Sequence, residues 1–145
     1  LPISAWSYMA AKLVHGLLFA LIGALVGPVL IGMVLKLSAL RIAGAVFIAL
    51  SMSALLNLLG LWLDTANPRL SWDNPVAAMK QNPNSMIAVL ADLVIVGLVG
   101  FLAFKTGMSD TQAVLYLGLL PLVVFALLLL PYPRYAAQRL ASIDA

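Results

Sequence analysis

Long apolar stretches alternate with short polar ones along the whole chain, and this pattern predicts its architecture. Four stretches, at residues 13–35, 42–63, 86–104 and 111–133, carry no charged residue apart from Asp92. Because a helix rises about 1.5 Å per residue, roughly 20 residues cross a hydrocarbon core of about 30 Å. Lipid offers backbone polar groups no partner, so spanning segments of this kind are helices. We therefore expect an all-α, polytopic membrane protein, a single domain with four transmembrane helices in an antiparallel bundle.

The links between these spans differ in length and polarity. Residues 36–41 and 105–110 are short turns, which force neighbouring spans to run antiparallel. Residues 64–85 form the long polar loop, rich in Asn and Pro. Within it Asn74 can cap a short helix that begins at Pro75 and ends at Gln81. We expect this helix to lie along the membrane surface.

Composition and charge agree with a membrane protein and indicate its orientation. Hydrophobic residues make up 64% of the chain and charged residues 9%, against about 25% charged in a soluble domain. The cations are scattered, so we expect no nucleic-acid partner. Five of the eight Lys and Arg residues fall on the side that carries both ends and the long loop: Lys12, Arg69, Lys80, Arg134 and Arg139. The positive-inside rule places that side in the cytoplasm.

The chain offers little of the chemistry that enzymes use. It contains no cysteine, one histidine and five acidic residues that are far apart in sequence. A zinc site would lack ligands, and no nucleophile motif or close carboxylate pair is present. We therefore expect no catalytic residue, no metal site and no cofactor in this chain.

One acidic residue lies inside a predicted span. Asp92 is a few residues into the third apolar stretch, and an acid at that depth must face protein or water. Its candidate partners are Asn57, His15 and Lys12, which this topology places toward the same side. Asp92 could serve a functional proton or ion site, or a hydrated or paired structural role. His15, at the start of the first span, could extend to the interface or bond to Asp92.

Small and polar residues recur on one face of the second span. They are spaced at helical intervals, and the set consists of Ala49, Ser53, Asn57, Gly60 and Asp64. One interpretation is close helix packing, in which Asn57 bonds to a neighbouring helix. The other is that this face lines a moving subunit interface or a substrate route.

Two prolines fall inside the spans. Pro28 should free the carbonyl of Ala24 in the first span, and Pro121 should free the carbonyl of Leu117 in the fourth. Both positions predict a bend in the helix axis.

Two sequence motifs resemble a known family of membrane proteins. The long loop contains an ordered set made of Asp64, Pro68, Arg69, Trp72, Pro75, Lys80 and Gln81. It is similar to the cytoplasmic segment of bacterial ABC-type-2 export permeases. The opening residues Leu1, Pro2, Ile3 and Ser4 resemble the Leu-Pro-hydrophobic-Ser element that precedes a membrane helix in that family.

The resemblance implies a C-terminal fragment of an exporter's permease in the bacterial inner membrane, with both ends cytoplasmic. It implies that ATP and Mg²⁺ are bound by a separate ATPase subunit, and that a second permease half or a second copy completes the transporter. Lipid would surround the chain. Two alternatives from the residues alone remain, namely a proton- or ion-coupled carrier that uses Asp92, and a noncatalytic membrane scaffold.

Overall fold

The computed structural model describes residues 4–67 and 83–141, and every regular element in these two ranges is helical. The helices are α1 (Ala5–Val34), α2 (Ala39–Ala66), α3 (Pro83–Thr106), α4 (Asp110–Leu129) and α5 (Tyr132–Ala141). The first four are long and apolar enough to cross a membrane. The chain is thus an all-α, multi-pass membrane protein, as the apolar pattern predicts.

Several predictions concern residues outside these ranges. The surface helix from Pro75 to Gln81 lies outside the described residues, and so do Leu1, Pro2, Pro68, Arg69, Trp72 and Lys80. Ser4 is described, and its hydroxyl caps α1 by accepting a hydrogen bond from the backbone N–H of Ser7 at 3.0 Å.

The boundaries of the helices differ from the predicted spans at both ends. The first three helices are longer than the spans predicted for them. The predicted spans stopped at charged or polar side chains, and the helical backbone continues past these residues. The fourth is shorter than predicted, because the chain turns at Leu130 and Pro131. A separate helix, α5, then begins at Tyr132, and the sequence pattern had merged its first residues with the fourth span.

The two short turns show why consecutive helices run antiparallel. Lys36, with φ of 53°, and Gly107, with φ of 61°, adopt left-handed backbone conformations that reverse the chain. Ser109 then starts α4 with a capping box, in which its hydroxyl and the Gln112 side chain each bond to the other's backbone N–H. The Nε of Arg41 lies 2.7 Å from Oδ2 of Asp110, so an ion pair joins the starts of α2 and α4.

Helix α2 is the centre of the bundle, because it packs against each of the other four described helices. Leu58 on α2 is fully buried, between Met9 of α1 and Tyr132 of α5. Trp62, one turn further along, stacks on the ring of Tyr135 and meets Tyr132 edge to face. This apolar cluster fixes α1, α2 and α5 together at one end of the bundle.

The outer faces of α1, α3 and α4 carry large apolar side chains that no described residue covers. Phe19, Leu93 and Phe104 are each more than half exposed. In water such a surface would drive aggregation, whereas in a bilayer it faces hydrocarbon. The exposed faces therefore identify lipid as the surrounding solvent.

The fourth span contains a π-helical stretch close to its proline, where the sequence predicts a bend. Residues Val114–Leu119 form a π-helical stretch directly before Pro121, and the N–H of Leu120 bonds to the carbonyl of Leu115, five residues earlier. Pro121 has no backbone N–H to donate. Next to this missing donor, the backbone hydrogen bonds join residues five apart, where an α-helix joins residues four apart. Helix α1, in contrast, continues through Pro28 without a break.

Candidate functional site

Three helix ends meet at one end of the bundle, and polar side chains join them. The Nζ of Lys12 on α1 lies 2.5 Å from Oδ2 of Asp64, in the last turn of α2. Asn84, which is 3% exposed, donates from Nδ2 to the backbone carbonyl of Asn67 at 2.6 Å and to Oδ1 of Asp64 at 3.5 Å. The beginning of α1, the end of α2 and the beginning of α3 are thereby linked through Asp64.

Helix α5 stabilises the same end of α2. Nη2 of Arg139 donates to the carbonyl of Ala66 at 2.7 Å, which places a cation at the negative end of the helix dipole. The hydroxyl of Tyr132 lies 2.6 Å from Oγ1 of Thr65 and donates to the carbonyl of Leu61 at 3.3 Å. These contacts hold the C-terminal turns of α2 in a fixed position.

A polar cleft of about 700 Å³ opens beside this network, between α1, α2 and α3. Its lining includes all four residues for which the sequence predicted an intramembrane polar site, namely His15, Asn57, Asp64 and Asp92. Lys12, Asn84 and Ser85 also line it. The structure therefore brings together residues that are up to 77 positions apart in sequence (92 minus 15).

Asp92 enters the cleft from the third turn of α3. It was expected to pair with Asn57, His15 or Lys12, but it makes no hydrogen bond or ion pair with any residue in the described ranges. Lys12 instead contacts Asp64, and His15 meets the ring of Phe19 edge to face at 5.0 Å. The cleft thus contains a carboxylate for which the described protein supplies no counter-charge.

Asn57 lines the cleft and lies against α1. Its Nδ2 donates to the carbonyl of Ser53 in its own helix at 2.8 Å, rather than to a neighbouring helix as the packing interpretation expected. Its Oδ1 points at Gly16 of α1, where a Cβ atom would lie only 2.2 Å away. A glycine at this position therefore permits the close approach of the two helices.

An apolar groove of about 490 Å³ lies next to the polar cleft along α2. Leu56 lines both spaces. The groove is bounded mostly by small and aliphatic side chains, including Gly23, Ala24, Ala49, Ser53 and Gly100. Leu117, in the π-helical stretch of α4, closes one side.

The small and polar face of α2 lines these two spaces from one end to the other. Ala49 and Ser53 face the groove, and Asn57, Gly60 and Asp64 face the cleft. Close packing also contributes, since a Cβ at Gly60 would lie 4.0 Å from Ala88 of α3. This face of α2 therefore lines open space over much of its length, and its role as a substrate route or an adjustable interface stays a prediction.

The sequence reasoning missed Asn84. It was assigned to the connecting loop, whereas it lies in the first turn of α3 and holds that helix against α2. The available signal was an amide residue directly after Pro83, since proline favours the first turn of a helix.

The described ranges contain no group of three His, Cys, Asp or Glu side chains that could hold a metal ion. Comparison with known proteins adds no identification: no family model, no curated protein and no solved structure matches the chain. The function is therefore argued from the cleft and its surroundings.

Proposed function

We propose that this chain is the membrane-spanning permease part of an ATP-binding-cassette exporter, driven by a separate nucleotide-binding subunit. The observation that supports it most is the polar cleft within the spanning helices, which lies next to an apolar groove and shares Leu56 with it. A structural scaffold has no need of such spaces. An exporter needs a place where a polar group can enter the membrane.

The position of the cleft supports coupling to a partner protein. It opens at the end of the bundle where α1 begins, α2 ends and α3 begins. The two motifs that resemble exporter permeases fall at this end in the sequence. Residues 1–4 directly precede α1, and the set from Asp64 to Gln81 runs from the last turn of α2 into the link to α3. The excess of cations at this end favours the cytoplasmic side of the membrane. In this proposal the membrane is the bacterial inner membrane, and an ATPase subunit with bound ATP and Mg²⁺ reaches the chain from that side.

The contacts at this end supply a path for mechanical coupling. ATP-driven closure of the partner subunit would displace residues 1–12. The contact between Lys12 and Asp64 would transmit that displacement to α2, and Asn84 would transmit it to α3. Helix α1 would then tilt against the small-residue face of α2 and change the width of the groove. A second permease half or a second copy, packed on the exposed apolar faces, would enclose the transport route.

The ion pair allows a test with a built-in rescue. In the full-length protein with its ATPase partner, Lys12→Asp and Asp64→Lys should each lower transport-coupled ATP hydrolysis, and the double exchange should restore it. The matched control is the same exchange at Arg41 and Asp110, an ion pair at the opposite end of the bundle, which should leave coupling unchanged.

Two further changes test the motifs themselves. Reversing the charge of Lys80, or deleting residues 1–7, should also lower coupled ATP hydrolysis. Full coupling in both of these variants, together with full coupling in the single variants of the ion pair, would reject the proposal. A nucleotide-binding subunit with a complete phosphate-binding loop should co-purify with the intact protein.

The unpaired carboxylate of Asp92 favours one alternative, a proton- or ion-coupled carrier. Intramembrane acids without a counter-charge commonly mark proton and ion pathways. This alternative predicts that Asp92→Asn abolishes transport and that transport follows the proton gradient without ATP. The exporter proposal predicts dependence on ATP in the presence of the partner subunit.

A further inference from the structure

The polar cleft and the apolar groove lie next to each other along α2, and Leu56 lines both. Asp92 lies at the polar end, and Val96 and Gly100 follow it on α3 at intervals of four residues, both lining the groove. Eight residues of helix correspond to a rise of about 12 Å, so the apolar part extends well beyond the carboxylate. A ligand that fills both has a polar head at Asp92 and a hydrocarbon body beyond it.

The charges in the cleft favour a positively charged head. Its lining contains one lysine and two aspartates, which leaves one net negative charge with His15 neutral. The ion pair between Lys12 and Asp64 satisfies two of these charges, whereas Asp92 has no charged partner within the described ranges, 4–67 and 83–141. An anionic head would meet uncompensated repulsion there, whereas an ammonium group would provide the missing counter-charge.

The groove has open room beside its small residues, which a hydrocarbon chain can occupy. Gly23 of α1 and Gly100 of α3 both line it, and a Cβ built at either one meets no described atom within 4 Å. The room beside these glycines is not occupied by packing within the described chain. An inorganic cation would leave the groove empty, and one carboxylate is too few ligands to hold it.

We propose that the cleft and groove bind an amphiphile with an ammonium head group and a single hydrocarbon chain, with the head at Asp92. The role of such amphiphiles as transported substrates rests on the proposed function. The binding site itself does not depend on the source of energy.

Photolabelling tests the site directly. The probe is dodecylamine with a diazirine near the end of its chain, added to the protein in dodecyl maltoside micelles. This detergent has an uncharged head and a chain of the same length, so selective labelling reports the head group. Labelled peptides should map to the groove, near Gly23, Met52 or Gly100. Unlabelled dodecylammonium should compete with the probe, and dodecyl sulfate should not.

Two variants separate the head from the chain. Asp92→Asn should lower groove labelling by about tenfold, whereas Asp110→Asn, which removes a carboxylate at the other end of the bundle, should leave it unchanged. Gly100→Leu keeps Asp92 but fills the groove, and should also reduce labelling there. Circular dichroism confirms that each variant keeps its helix content.

Three results would overturn the proposal. These are equal labelling in wild type and Asp92→Asn, labelling spread over the lipid-facing surfaces of α1 and α3, and equal competition by dodecyl sulfate. The assay needs no ATPase subunit. If the groove is labelled as expected while the ion-pair and motif variants all keep full coupling, the exporter mechanism is rejected and the site is retained. If labelling of the groove fails while those variants lose coupling, the site is rejected and the mechanism is retained.

Discussion

The close approach of α1 and α2 at Gly16 gives the sharpest test of the cleft's geometry. In Gly16→Ala the new Cβ would lie 2.2 Å from Oδ1 and 3.1 Å from Cγ of Asn57. Either Asn57 turns away and loses its bond to the Ser53 carbonyl, or the two helices move apart. Overpacking of this kind costs about 1–3 kcal/mol. The replacement of glycine in a helix also contributes about 1 kcal/mol of stabilisation through backbone propensity.

Gly23, in the same helix, provides a control for this gain in helix propensity. A Cβ at Gly23 meets nothing within 4 Å among the described residues, so Gly23→Ala gains propensity without a clash. Gly16→Ala should therefore be about 1–3 kcal/mol less stable than Gly23→Ala. The measurement is reversible unfolding by sodium dodecyl sulfate in mixed micelles, followed by the far-ultraviolet circular dichroism of the helices.

A double-mutant cycle attributes the difference to Asn57. In the Asn57→Ala background the obstructing amide is gone, so Gly16→Ala should behave like Gly23→Ala. The interaction energy between positions 16 and 57 should equal the overpacking cost, about 1–3 kcal/mol. Equal stability of Gly16→Ala and Gly23→Ala, or strictly additive effects in the cycle, would show that α1 and α2 do not approach as described.

The same unfolding assay checks three further contacts. Tyr132→Phe removes a buried hydroxyl that is bonded to Thr65 and should cost about 0.5–1.5 kcal/mol; no loss would mean that the hydroxyl is not bonded. In Gly118→Ala the Cβ would lie 2.5 Å from the ring of Phe47, so we expect a loss of about 1–3 kcal/mol that Phe47→Leu relieves. Without that relief, the contact between α2 and the π-helical stretch is misassigned. Asp110→Asn breaks an exposed ion pair and should cost less than about 1 kcal/mol; a larger loss would indicate that the pair is shielded from solvent.

Hydrophobic pattern alone was sufficient to predict the four spanning helices. Each one must satisfy its own backbone hydrogen bonds in lipid, so length and apolarity determine it with little help from its neighbours. The fifth helix, α5, does not span, and its formation depends on contacts with α2. Arg139 and Tyr132 bond to the end of α2 across more than 70 residues of sequence, and no local pattern signals such partners.

The candidate site was predicted only in part. Helical spacing correctly grouped Ala49, Ser53, Asn57, Gly60 and Asp64 on one face of α2, because the period of a helix is fixed. What that face meets depends on how α1 and α3 lie against α2. Asn57 was expected to bond across helices, yet it bonds within its own helix and fills the space beside Gly16.

The sequence by itself determined the membrane environment, the number of spans and the face of α2 that carries small and polar groups. These properties follow from local composition and helical periodicity, which one segment expresses without the others. Only the tertiary structure decided which polar groups pair and which stay unpaired. Lys12 contacts Asp64 rather than Asp92, since helix ends are brought together by packing around Leu58 and Tyr132. The cleft exists because α1 and α3 contact α2 on different sides, an arrangement that depends on all three helices at once.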